Sequence, residues 1–136
     1  MWIDLGVRSY SDTTILDGCL KSNRHIPSLI QSCVNYIDSY LTVEGLFRVP
    51  GGSKAMEEVL KYIDKGEEIV WPIDEPHIPC SILKQYLREI RVPLIPWEKQ
   101  QIFFDLLTIE TEKRVDAAKK LVYELPKENR ILLVYL

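Results

Sequence analysis

The chain has 136 residues, 46% hydrophobic and 27% charged, enough for one domain with a sizeable core and unlike a disordered tail. Lysine and arginine number 17 against 20 acids, so the net charge is −3 and broad attraction to nucleic acid or to an anionic membrane is not expected. Three cysteines, Cys19, Cys33 and Cys80, cannot all pair within one chain, and their wide spacing fits a reduced, cytoplasmic protein.

The first residues, Met-Trp-Ile-Asp-Leu-Gly, lack a basic flank and a long apolar segment, so they do not read as a signal peptide. Residues 1–25 read as loop with one short helical turn. Pro27 then opens a helix in which Leu29, Ile30, Cys33, Val34, Ile37 and Leu41 recur at three- and four-residue steps. A loop follows at 44–52. Ser53 is placed to cap a helix running to about Asp64, with Met56, Val59, Leu60 and Ile63 on one face and Gly66 ending it. Residues 67–76 form a loop holding Trp71-Pro72 and Glu75-Pro76. The next helix spans residues 78–90, with Ile82, Leu83, Tyr86, Leu87 and Ile90 turned inward, and Pro93 and Pro96 mark a turn after it. Residues 97–108 form a helix built on Ile102, Phe103, Leu106 and Leu107. Thr111 is placed to cap another over 112–125, carrying Val115, Ala118, Leu121 and Val122, and Pro126 opens one more. No stretch alternates as a strand does, and there is no internal repeat, so the expectation is an all-α protein of about six helices. The longest apolar run, residues 131–136, is far too short to span a bilayer, which argues against direct membrane insertion.

The charge is unevenly spread. Residues 57–75 carry seven acids against two lysines, whereas residues 84–91 carry Lys84, Arg88 and Arg91 against Glu89 alone. A local basic stripe on an acidic chain suggests one specific anionic partner. The most informative single residue is Arg48. It interrupts the apolar run Leu46-Phe47-Arg48-Val49, which ends in Pro50-Gly51-Gly52. Guanidinium groups are almost never fully buried without a partner, so Phe47 and Val49 are expected to anchor the loop inward and leave Arg48 pointing out. An arginine offered from a pinned loop suits insertion into a partner's anionic site. Taken alone, Arg48 also reads as a surface arginine in a tight turn, and Lys84 and Arg88, four residues apart on one helix face, as a solvated face.

Other chemistry finds little support. His77-x-x-Cys80 has the spacing of half a zinc site, but no second pair stands elsewhere and a metal needs three or four ligands. Nothing marks an orienting third group or an oxyanion site for Cys-His catalysis. Gly51-Gly52 is not followed by Lys-Ser/Thr in the required frame, so the chain is not expected to bind GTP itself. Gly45 and Glu44 read as structural, allowing and capping the exit from the first helix. Trp2, Trp71 and Trp97 read as core or interface aromatics, with Trp97 placed in the core.

The segment Glu44-Gly45-Leu46-Phe47-Arg48-x-x-Gly51 resembles the arginine-finger motif of Rho GTPase-activating (RhoGAP) domains. Leu83-Lys84-Gln85-Tyr86-Leu87-Arg88-Glu89 followed by Pro93-Leu94-Ile95-Pro96 is a second matching block, and Leu125-Pro126-Lys127-Glu128-Asn129 a third. Weaker matches are Leu5-Gly6-Val7, Ile26-Pro27 with Cys33, His77 and Phe103. The blocks fall in the family's order and cover nearly the whole chain. The resemblance implies an all-α bundle of the RhoGAP type over residues 1–136. It also implies stimulation of GTP hydrolysis on a Rho-family small GTPase, with Arg48 as the catalytic finger supplied in trans. Arg88 would brace the finger loop through its backbone, and Lys84 would contact the GTPase near its switch regions and nucleotide. The chain would have no cofactor and no reaction of its own, because GTP and Mg²⁺ belong to the partner. The alternative is a non-catalytic GTPase- or protein-binding module on the same fold.

The sequence departs from the family in places. Pro50 stands where a small polar residue is usual and stiffens the loop. Ile90-Arg91-Val92 replaces a Leu-Pro-acidic run and adds positive charge near the expected interface. The family's further helices, with an asparagine that contacts the GTPase, are not represented before Leu136, so the resemblance covers roughly the first two-thirds of the domain. The remaining helices would then expose apolar faces and open the chain to dimerisation or element swapping.

Overall fold

The computed structural model describes residues 13–136, so the expected matches at Leu5-Gly6-Val7 and the placement of Trp2 lie outside the described residues. The described residues form seven α-helices and two short 3₁₀ turns, with no strand. The helices are α1 (Ile15–Ser22), α2 (Ser28–Ile37), α3 (Ser53–Lys65), α4 (His77–Glu89), α5 (Trp97–Asp105), α6 (Thr111–Tyr123) and α7 (Lys127–Tyr135). All-α architecture is therefore as expected, but several boundaries differ, each for a local reason.

Helix α1 is eight residues long rather than one turn. A capping box starts it: the Thr14 hydroxyl accepts from the Asp17 N–H, and the Asp17 carboxylate accepts from the Thr14 N–H. Asn23 stops it in the left-handed conformation. Helix α2 ends at Ile37, where the chain tightens into a 3₁₀ turn over Asp38–Tyr40, leaving Leu41 exposed. Neither Ser53 nor Thr111 caps its helix. Each is the first helical residue, behind Gly52 and Glu110, and no side chain caps either start. Gly66 closes α3 with φ 70° as expected.

The core is built around α2 and α4, which pack on each other, with α1 bridging to α7. Ile30, Cys33 and Ile37 of α2 meet Ile78, Cys80, Ile82, Leu83 and Tyr86 of α4, and Ile15, Val59, Ile90 and Leu132 complete the cluster. The loop before α4 is stitched to α2. The Tyr36 hydroxyl donates to the Pro72 carbonyl at 2.6 Å and accepts from the Glu75 N–H at 3.0 Å, while the Trp71 indole donates to the Ser32 hydroxyl at 2.9 Å. Trp71 packs against the core, as expected. Asn129, near the start of α7, is buried and donates its amide to the Leu94 carbonyl, tying α7 to the turn after α4.

Helices α5 and α6 behave differently. Neither contains a buried residue. The face expected to bury Ile102 and Leu107 is exposed, and Trp97 is 63% exposed rather than in the core. The 3₁₀ turn Leu106–Thr108 joins the two helices, and Arg114 of α6 braces that turn by donating to the carbonyls of Leu106, Leu107 and Ile109. Local bonds thus order this arm, with little burial beneath it.

Candidate functional site

Gly45 begins the Arg48 loop with φ 82°, a conformation open to glycine and costly for other residues. Its carbonyl accepts from both the Arg48 N–H at 3.0 Å and the Val49 N–H at 2.9 Å, closing a tight turn with Arg48 exposed at its end. A side chain at Gly45 would be strained by this φ and would crowd its neighbours in the loop. A Cβ there would stand 2.9 Å from the Val49 Cγ2 and 3.4 Å from an Arg48 guanidinium nitrogen. The guanidinium therefore lies folded back over the start of its own loop.

Two expectations about this loop need correction. Phe47 and Val49 do not anchor it inward: they are 43% and 42% exposed. Phe47 instead adopts φ 66°, the left-handed region that bulky residues rarely enter. That inversion turns its ring outward and presents its backbone to α4. Leu46, half-buried against the core, supplies the inward contact.

Helix α4 holds the loop at both ends. Lys84 Nζ donates to the Phe47 carbonyl at 2.7 Å, immediately before Arg48. The Gly51 N–H donates to Ser81 Oγ at 3.1 Å, three residues beyond Arg48. Gly51 also lies against the first turn of α4, where a Cβ would come within 3.0 Å of the Ile78 Cγ1 and 3.1 Å of its Cα. Cys80 borders the same contact. Burial raises its thiol pKa, while a hydrogen bond from the Phe47 backbone and the nearby Lys84 ammonium pull it down. Lys84 thus braces the loop backbone in the free chain. Arg88 stands one turn further along α4, exposed. Ser81, Lys84 and Arg88 follow at steps of three and four, so they share the α4 face beside the loop.

The structure therefore brings the Arg48 loop against Lys84, 36 positions later in the chain, with Arg88 exposed one turn further along the same buried helix. The site's chemistry is recognition of negative charge by a planar guanidinium, with an ammonium alongside. Sequence reasoning missed Ser81. A hydroxyl three residues before a loop-bracing lysine was a visible signal, but its partner, the Gly51 N–H, is 30 residues away. Other chemistry fares no better in three dimensions. Among the described residues no group of His, Cys, Asp and Glu could hold a metal, and no helix is long and apolar enough to cross a membrane. All three cysteines are buried and unbridged, and burial raises the Cys33 thiol far above its ordinary range, so it is inert as a nucleophile.

The RhoGAP domain family model matches residues 27–136, which include the whole site. Human Rho GTPase-activating protein 24 is 38% identical over 119 residues, covering 84% of this chain and 16% of that protein. Mouse Rac GTPase-activating protein 1 is 33% identical over 115 residues, covering 82% and 18% respectively. The chain spans about a sixth of the length of these curated relatives. The crystal structure of human Rho GTPase activating protein 15 superposes with a TM-score of 0.79 at 23% identity, covering 90% of this chain and 60% of that one, which establishes the shared fold. A helical scaffold that carries an exposed arginine loop on a basic helix, and that matches the family from α2 to Leu136, belongs to the RhoGAP domain family.

Proposed function

We propose that this domain accelerates GTP hydrolysis by a Rho-family small GTPase, with Arg48 entering the partner's nucleotide site in trans. The observation that carries the reading is the Arg48 loop itself: an exposed guanidinium on a tight turn, held by Lys84 to a buried helix. Hydrolysis builds negative charge on the β–γ bridging oxygen and the γ-phosphate oxygens. A guanidinium placed there is worth about 10³–10⁵ in rate, or about 4–7 kcal/mol of barrier. On docking, the guanidinium swings off Gly45 toward the phosphates. Helix α4 supports the backbone through this motion, and the exposed cations Lys84 and Arg88 meet the acidic surface around the nucleotide. Because Lys84 holds the Phe47 carbonyl in the free chain, contact with the GTPase is either shared with that bond or replaces it.

The domain contributes no cofactor and no autonomous reaction. GTP and Mg²⁺ arrive with the GTPase, which is the entity turned over. The encounter is protein with protein in the cytoplasm, without membrane insertion or nucleic acid, and any recruitment to membranes is carried by regions outside these residues. The test is single-turnover GTP hydrolysis by a panel of Rho-family GTPases, with and without the chain. Acceleration of at least one member by 10²-fold or more supports the reading. Binding without acceleration assigns the domain instead as a non-catalytic docking module, and neither binding nor acceleration overturns both.

A further inference from the structure

The loop that carries Arg48 is fastened asymmetrically. Its leading side is held by a charged, exposed donor, since Lys84 reaches the Phe47 carbonyl from solvent. Its trailing side is held by a neutral, partly buried pair, the Gly51 N–H on Ser81 Oγ at 3.1 Å. The two fastenings differ in what a docking partner can do to them. An exposed ammonium is free to trade the Phe47 carbonyl for an acidic group on a partner. A serine on the third turn-facing position of a buried helix is not free to move, because Ile78, Cys80 and Ile82 around it are fully buried. Gly51 also lies close against the Ile78 backbone, where a Cβ would come within 3.1 Å of its Cα, so a side chain there would push the loop off α4. When Lys84 turns to the partner, the Ser81 bond remains on the trailing side, as the Phe47 backbone contact with buried Cys80 remains on the leading side.

Resting on the proposed GTPase-activating role, we infer that Ser81 is a positioning residue for the arginine loop. Its hydroxyl, accepting from Gly51, sets the distance between the Arg48 backbone and α4 when the domain is docked. Ser81 touches neither nucleotide nor GTPase, and its effect reaches the reaction through the loop backbone. Removing the hydroxyl leaves the Gly51 N–H without its acceptor and lets the trailing side of the loop drift. Misplacement of a reacting group by about 1 Å costs on the order of 10²-fold in rate. The loss therefore falls on the rate within the complex and not on complex formation.

The test uses the 136-residue chain with Ser81→Ala and Ser81→Thr. In the free chain, amide exchange at Gly51 followed by NMR is expected to speed up by about tenfold in Ser81→Ala and to return to the native rate in Ser81→Thr, which keeps the hydroxyl. In single-turnover hydrolysis at saturating chain, Ser81→Ala is expected to lower the rate by about 10- to 100-fold with Kd changed less than about twofold, and Ser81→Thr to recover most of it. Native acceleration by Ser81→Ala overturns the inference, as does equal loss of rate and affinity. So does a failure of Ser81→Thr to recover what Ser81→Ala loses. If the native chain itself fails to accelerate any GTPase, the activating role is what falls, and Gly51 exchange alone decides whether Ser81 holds the loop, with unchanged exchange overturning that too.

Discussion

Helices α4 and α5 lie seven residues apart in the chain, yet they are held in opposite ways. Helix α4 buries Ile78, Pro79, Cys80, Ile82, Leu83, Gln85 and Tyr86, and holds the Arg48 loop through Ser81 and Lys84. Helix α5 has no fully buried residue: Trp97 and Phe104 stand 63% and 66% exposed, only Lys99, Gln100 and Phe103 are half-buried, and Arg114 braces the arm it forms with α6 through three backbone carbonyls. Burial fixes a helix by dispersion and hydrophobic contact on several sides, whereas a few local hydrogen bonds, worth about 1 kcal/mol each, fix only its end. The buried helix carries Ser81 and Lys84, and the Arg48 loop that bonds to them borrows that rigidity.

The contrast should be easiest to break at the core. Ile82→Ala removes a fully buried side chain from between α2 and α4, and should destabilise the chain by about 2–5 kcal/mol in urea unfolding. A loss under 1 kcal/mol would mean the two helices are not the structural centre. A second effect of similar size comes from pH. Burial pushes Tyr86 up to about 12 from 10.0, and raises Cys33 and Cys80 from 9.0. Groups with raised folded-state values favour folding while protonated. Their contribution is therefore complete below about pH 9 and is lost as the pH climbs toward the folded values. Tyr86 alone accounts for roughly 2–3 kcal/mol between pH 10 and 12. The urea midpoint should hold from pH 7 to 8.5 and fall steeply above 9.5, and a flat midpoint to pH 11 would place these groups in contact with water. The smallest effect sharpens the comparison from the other side. Phe104→Ala, on the exposed face of α5, should change stability by no more than about 0.5 kcal/mol. A loss comparable to that of Ile82→Ala would show that the α5 face is covered in solution.

How much of this was legible in the sequence depends on whether a signal is local. The α4 pattern of Ile82, Leu83, Tyr86 and Ile90, the glycine stop at Gly66 and the glycine turn at Gly45 all express themselves within a few residues, and the fold keeps them. The Thr14/Asp17 capping box was equally local and would have turned one expected turn into the eight-residue α1. Ile102, Phe103, Leu106 and Leu107 form a sound apolar stripe, but periodicity states only which residues share a face, not whether another element covers it. Trp97 was misplaced for the same reason. Within the site, Arg48 was legible because a cation in an apolar run conflicts with its neighbours. The fastenings of its loop were not, since Lys84 and Ser81 find partners 37 and 30 residues away. The left-handed turn at Phe47, which puts its ring outside and its carbonyl in reach of Lys84, has no signature in the residue type.

The central claim is that Arg48 acts in the transition state from a loop positioned by α4. The most direct test measures affinity and single-turnover rate side by side for native and Arg48→Ala chains, on a Rho-family GTPase that the native chain activates. The account predicts a rate that falls by about 10³-fold or more while Kd changes only a few-fold, because a finger stabilises charge that develops only as the phosphate transfers. An Arg48→Ala chain that still accelerates hydrolysis like the native one, or one that loses binding in proportion to rate, would contradict it.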